Sequence, residues 1–214
     1  MSRNSKSQLT RSIIETALEE VSKRVRQSGN FASSCKFPIE LIVSGGTISV
    51  LQGVRVATED IDYYCQNNRI MNTIEDFAKI VANHMSLQDN FMNTGLRFFI
   101  ESNRYKPAVE RSISQNQVLF MNDVFKIYEA DYGYQLMSKL HRMSDDLTRG
   151  REFKKYDPLD AAHCLHKLIR SFGWNPSLEE LNALYPLNEP VEKAVFEHVA
   201  AVYRGKFGYV PFVV

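Results

Sequence analysis

An α/β fold, with a small mixed sheet flanked by helices and a helical C-terminal part, is predicted by three observations. The apolar run Ile39, Leu41, Ile42, Val43 stops at Ser44-Gly45-Gly46; it is too short for a helix of ordinary length and reads as a buried strand. The run Asp60-Ile61-Asp62-Tyr63-Tyr64 alternates with period two, so that as a strand it turns both acids to one face and Ile61 and Tyr63 to the other. Before and after these runs, apolar residues recur at helical spacing.

In chain order, a polar start at residues 1–7 leads into a helix predicted over residues 8–27. Leu9, Ile13, Ala17, Val21 and Val25 form its stripe, and Ser28-Gly29-Asn30 its end. A loop through Cys35 precedes the strand at 39–43, and a short helix over 47–52 follows the glycines. Beyond the Asp60 strand, a helix is expected from Asn72 or Thr73 to Leu87, with Thr73 and Asp76 in a capping-box-like arrangement. Residues 91–100 fit strand or helix equally. Two further strands, 118–121 and 124–128, are rich in β-branched and aromatic residues, with Asn122-Asp123 as their hairpin turn. A helix then starts near Tyr134, a charged loop covers 145–156, and Asp157-Pro158 opens the next helix, with proline at the first helical position. Gly173, Pro176, Pro186 and Pro190 punctuate three later helical segments. The domain division this suggests is an arm and amphipathic helix at 1–30, a core at 31–165 and a helical extension at 166–214.

The chemistry-bearing stretch is 39–65. A strand that breaks at glycine and continues as a helix presents backbone N–H groups at the helix N-terminus, a cradle for phosphate. The carboxylates of Asp60 and Asp62, about 6–7 Å apart by strand rise, can share a hard cation such as Mg²⁺, which takes oxygen ligands and bridges phosphate oxygens. Separately, a Gly-Gly pair also marks a plain turn and Asp-x-Asp a solvated strand face. Their combination is the informative signal.

With the thirteen residues 47–59 between the glycines and the first acid, this stretch resembles the signature of the nucleotidyltransferase-fold superfamily: apolar strand, Gly-Gly or Gly-Ser, a spacer, then Asp-x-Asp. Arg55-Val56-Ala57-Thr58-Glu59-Asp60-Ile61-Asp62 resembles the Arg-x-x-Thr-x-Asp-x-Asp form of the minimal and toxin-like branch. Phe91-Met92-Asn93 is similar to an aromatic-x-Asn motif of one branch. Lys139, a basic loop and Asp157-x-x-Asp160 are similar to the downstream motif of the AbiEii-like proteins. The resemblance implies a nucleotidyltransferase-like core that moves a nucleoside monophosphate from an NTP, ATP among them, to a hydroxyl acceptor such as a tRNA end or a protein side chain.

On that resemblance Asp60 and Asp62 would hold Mg²⁺ or Mn²⁺, and Ser44, Gly45, Gly46, Arg55, Thr58, Asn93 and Lys139 would bind the nucleotide. Asp60, Asp62, Lys139 and Asp160 would be catalytic, Asp160 as metal ligand or general base, while Arg149, Arg151, Lys154 and Lys155 would face phosphates or the acceptor. The strand at 118–121 lacks the third acid that many members carry; Glu101 and Glu129 are the nearest. A decayed nucleotide- or partner-binding protein on the same fold is the alternative.

Composition sets outer limits. The chain has 214 residues, 44% hydrophobic and 24% charged, with a net charge of +1. That balance argues against a surface built throughout for nucleic acid. The three cysteines, Cys35, Cys65 and Cys164, lack metal-ligand spacing, so a reduced, cytoplasmic setting is expected. No run is apolar enough to span a membrane, and the polar start does not resemble a secretory signal. His163 and His166 flank Cys164 three residues apart, which is weak spacing for zinc and points to a structural or surface role.

Overall fold

The computed structural model describes residues 8–101, 106–173, 175–185 and 191–209. The chain divides into two compact units, Met1–Ala130 and Asp131–Val214. The core boundary expected at Leu165 therefore falls inside the second unit, within a helix.

The first unit is α/β. In order it contains β1 (Leu9–Thr10), α1 (Arg11–Gln27), α2 (Asn30–Ser33), β2 (Ile39–Ser44), α3 (Gly46–Leu51), β3 (Ala57–Thr58), β4 (Ile61–Tyr64), α4 (Asn68–Met85), β5 (Met92–Asn93), α5 (Leu96–Ile100), α6 (Lys106–Gln115), β6 (Val118–Met121) and β7 (Phe125–Glu129). Five strands form a mixed sheet in the order β5-β4-β2-β7-β6. Its central strand β2 runs antiparallel to β4 and parallel to β7. Leu41, Ile42 and Val43 are buried, as a continuous apolar run in a central strand requires.

Helix α1 begins later than its apolar stripe predicts. Leu9 and Thr10 pair with Thr58 and Ala57 of β3 instead, and the Thr10 hydroxyl caps the helix by accepting from the Ile13 N–H at 3.4 Å. From there Ala17, Val21 and Val25 of the stripe are buried together with Ile14 and Leu18 beside them, while Ile13 is half-buried, and α1 packs against α4. Helix α4 begins earlier than expected, because Asn67 supplies the cap. Its side-chain oxygen accepts from Arg69 N at 3.0 Å and Ile70 N at 3.2 Å, while Thr73 lies inside the helix and donates to the Arg69 carbonyl. The ambiguous stretch 91–100 is both structures in succession, strand β5 and then helix α5. The hairpin between β6 and β7 closes on Asn122, whose side-chain oxygen accepts from Val124 N and Phe125 N at 2.9 and 2.8 Å.

The second unit is helical: α7 (Tyr132–Thr148), α8 (Asp157–Phe172), α9 (Leu178–Leu184) and α10 (Lys193–Phe207). Asp131 caps α7, accepting from Tyr134 N at 2.8 Å, so this helix starts before the expected position. Pro158 stands in the first turn of α8, and that helix runs unbroken through Leu165 to Phe172. The core joins Leu136, Leu140 and Met143 of α7 to Leu165 and Leu168 of α8 and to Val195, Val199 and Tyr203 of α10. Leu181 of α9 is also buried there. Gly133 gives Tyr185 its seat: a Cβ on that glycine would lie 2.0 Å from the tyrosine ring. The apolar tail 207–214 must dock somewhere or form an exposed patch; Phe207 packs against this core, and residues 210–214 lie outside the described residues. Among the described residues no helix is long and apolar enough to cross a membrane.

Candidate functional site

Strand register assembles the first group of candidate residues. Ser44 of β2 pairs with Asp62 of β4, and Asp62 pairs with Asn93 of β5. Residues aligned across a ladder share a face of the sheet, so these three polar side chains form one row over neighbouring strands. All three are half-buried, while Ile61 and Tyr63, on either side of Asp62, are buried on the opposite face.

Glycines close around that row. Gly45 has φ 76° and ψ −142°, a conformation that residues with a Cβ rarely adopt. A Cβ there would lie 3.8 Å from Asp62 Oδ2. On the other side, a Cβ on Gly95 would lie 3.5 Å from Asp62 Oδ1 and 2.8 Å from Asn93 Oδ1. The Asn93 oxygen meanwhile accepts from the Gly95 N–H at 2.8 Å. The Asp62 carboxylate thus sits between two segments of bare backbone.

Next to it, Thr58 and Arg55 press on Gly46. A Cβ on Gly46 would come within 2.2 Å of Thr58 Oγ1 and 3.1 Å of Arg55 Nη1, which puts a guanidinium beside the glycine turn. Thr58 is buried and held in β3 by its pairing with Leu9. Asp60 joins from the residue before β4: its carbonyl accepts from Thr47 Oγ1 at 2.9 Å. Thr47, 1% exposed, ties the first turn of α3 to the acidic strand. In this way Ser44, Gly45, Gly46, Arg55, Thr58, Asp60, Asp62 and Asn93 fall in one neighbourhood.

The two acids nearest to a third position lie elsewhere. Register aligns Glu129 with Val43, and Val43 with Tyr63, one step off the Ser44–Asp62–Asn93 row and therefore on the opposite face. Glu129 is fully buried and accepts from Gln52 Nε2 at 2.6 Å. Glu101 ends α5 and pairs with Arg97 at 3.0 Å. Among the described residues no group of three or more His, Cys, Asp or Glu side chains is placed to hold a metal ion.

Lys139 and Asp160 lie in the second unit and are brought together there. Lys139 Nζ donates to Asp160 Oδ2 at 2.8 Å and to Asp157 Oδ1 at 3.0 Å. Arg142 completes the cluster with a two-pronged bond to Asp157, Nε to Oδ2 at 2.6 Å and Nη2 to Oδ1. Asp157 and Asp160 are 1% and 3% exposed and Lys139 9%, so this is a buried ionic cluster. Burial pushes the Asp157 carboxyl up, but the charges and hydrogen bonds of Lys139 and Arg142 outweigh it and hold the group below its ordinary value. In the loop that follows, Arg149 pairs with Asp145 at 2.7 Å, and Arg151 with Asp145 and Asp146 at 2.8 and 2.7 Å. Lys154 and Lys155 are exposed, Lys155 over the Tyr156 ring.

Sequence reasoning missed Thr47, Gly95 and Arg142 as members of these groups. Thr47 directly follows the Gly-Gly pair, and Gly95 stands two residues after Asn93 in an Asn-Thr-Gly turn; both were legible as neighbours of a candidate. Asp157 stands in the Asp157-x-x-Asp160 motif, where the resemblance gives a role to Asp160 alone.

A family model described as "Domain of unknown function (DUF7582)" matches residues 6–210. No curated protein and no solved structure matches the chain.

Proposed function

We propose, for a chain that belongs to this DUF7582 family, that the first unit binds the phosphates of an NTP at the Gly45-Gly46 turn and uses them in nucleotidyl transfer to a hydroxyl acceptor. The observation that carries this is the position of Asp62, whose carboxylate oxygens face Gly45 on one side and Gly95 on the other, with Arg55 against the same turn. Backbone without side chains admits close approach by a ligand, and a guanidinium is suited to phosphate. Helix α3 has only six residues, so its dipole adds little, and the anion is held by Arg55 and by turn N–H groups.

The donor set fits one hard cation. Asp60 and Asp62 offer carboxylate oxygens, and Mg²⁺ is commonly held by one or two carboxylates together with substrate phosphates and water; Mn²⁺ takes the same donors. A second ion lacks a third acid, since Glu129 and Glu101 are engaged elsewhere. When bound, the cation supplies charge neutralisation at the phosphate oxygens. Ser44 and Asn93 border the acid row and orient the nucleotide, and Thr47 fixes the Asp60 backbone.

A second function on the same site, binding without transfer, is favoured by a specific observation: the Lys139 ammonium is already satisfied by two buried aspartates. Incubation with each labelled NTP and Mg²⁺, with total RNA or with cell extract, tests the proposal. Label on RNA, protein or a small molecule supports transfer. Retention of NTP with no label moved supports binding alone, and failure to bind any NTP removes both.

A further inference from the structure

The two histidines of α8 stand outside the site described above, and both face the end of α10. His166 stacks on Phe207 with centroids 4.0 Å apart and planes at 1°. His163 meets the same ring edge-on at 5.3 Å. Phe207 is packed against the core of its unit and is the last residue of α10. A hydrogen-bonded chain runs beside the stack: Tyr203 OH donates to Tyr209 OH at 2.6 Å and lies 2.9 Å from His166 Nδ1. Tyr203 is fully buried and its phenol is pushed well up by burial and by its bond to Tyr209, so it stays protonated. With its one proton given to Tyr209, Tyr203 accepts from His166 Nδ1–H. An added proton on His166 then goes to Nε2.

His163 Nε2 is buried with no hydrogen-bond partner. A neutral ring tolerates this, because an unpaired lone pair in an apolar setting costs far less than an unpaired charged N–H. We infer that His163 and His166 form an acid-sensitive clasp, which holds the last turn of α10 and Tyr209 on α8 while both imidazoles are neutral and releases them when they are protonated.

The surrounding charges favour the neutral state. Burial lowers the His163 pKa first, then Lys206 of α10 and Lys167 of α8; Asp160 acts in the other direction, and His166 adds a further lowering. Asp160 is itself paired with Lys139. For His166 the causes are burial and then Arg170. The face of Phe207 would attract an imidazolium, but it meets both rings, and two neighbouring cations there repel each other. Because both histidines are depressed from the ordinary 6.5, the undocked turn binds protons more readily than the docked one. Docking is therefore complete above that value and is lost as the pH falls from it toward the depressed values.

Hydrogen exchange of the peptide covering residues 203–209, corrected for intrinsic rate, tests the clasp. Because protonation favours the undocked turn, the full chain should lose its protection several-fold between about pH 7.5 and about pH 5.5. The His163→Gln/His166→Gln variant should show no such pH dependence, whatever its level of protection. An equal loss in that variant, or none in the parent, overturns the inference. Should the variant fail to fold, NMR titration of the parent decides: both histidines should titrate below 6.5 with concerted shifts of the Phe207 ring. Titration at or above that value overturns it.

Discussion

Asp62 and Asn93 stand opposite each other in the parallel ladder of β4 and β5, and both reach the same glycine. Asn93 Oδ1 accepts from the Gly95 N–H at 2.8 Å, and Asp62 Oδ1 lies 3.5 Å from the place a Cβ on Gly95 would occupy. Sheet register fixes the carboxylate and the amide, and the hydrogen bond from Gly95 to Asn93 holds the bare turn beside them.

Substitution of Gly95 tests that relationship. In Gly95→Ala the new Cβ would lie 2.8 Å from Asn93 Oδ1, so the asparagine must turn away and the space beside Asp62 narrows. Stability should fall by only about 1 kcal/mol, because the site is half-buried. The rise in melting temperature produced by NTP with Mg²⁺ should largely vanish; an unchanged rise would remove Gly95 and Asn93 from the site.

Asp60 and Asp62 are expected to act through a shared cation. NTP and Mg²⁺ together should raise the melting temperature more than either alone, a ligand at about 100 times its Kd adding roughly 2.7 kcal/mol to stability. Asp60→Asn/Asp62→Asn should abolish the extra rise while the protein remains folded. An equal shift in parent and double variant would mean that these acids do not hold the metal.

Gly46→Ala should act on folding. Its Cβ would meet Thr58 Oγ1 at 2.2 Å and Thr58 Cβ at 3.0 Å, and Thr58 cannot retreat because it is buried and paired with Leu9. Overpacking of this kind costs about 1–3 kcal/mol, measurable as a lower denaturant midpoint. Adding Thr58→Ala should recover part of the loss; a double variant no more stable than Gly46→Ala would place the strain elsewhere.

In the second unit, Lys139→Ala leaves Asp160 buried without its cation and Asp157 with Arg142 alone. Breaking a buried pair in this way costs about 3–5 kcal/mol. The pH dependence carries a definite sign. Asp157 is depressed from 3.8, so its contribution is present above that value and is lost as the pH falls through the lower folded pKa. The stability gap between parent and Lys139→Ala should therefore narrow in acid. A gap that is constant from about pH 7 to about pH 3 would show that the ion pairs do not set it.

Much of this arrangement was legible in the chain itself, for reasons of periodicity. The alternation around Asp62 and the break at Gly45-Gly46 were legible because both are local consequences of backbone geometry, whereas Asp60, expected within the same strand, stands just before β4. What was not legible depends on partners distant in sequence. A two-residue strand such as β1 has no period of its own and exists because β3 offers it a ladder. Asn67, Asn68, Asn72 and Thr73 can all cap a helix, and the burial of Met71 is what selects the earliest. Asp157 reads in the sequence as the opening of a helix beside Pro158; that Lys139 and Arg142 converge on it is a product of how α7 packs on α8.

The most direct test of nucleotidyl transfer at Asp62 combines transfer and binding assays on one preparation of Asp62→Ala. Arg55 and the Gly45-Gly46 backbone remain in that variant and can still hold phosphate, whereas no other carboxylate among the described residues stands in the Ser44–Asp62–Asn93 row. Label transfer from NTP should be lost almost entirely, while NTP binding persists in weakened form. Transfer at the parent rate by Asp62→Ala, or a parent that binds NTP, transfers nothing and loses no affinity on the same substitution, would contradict it.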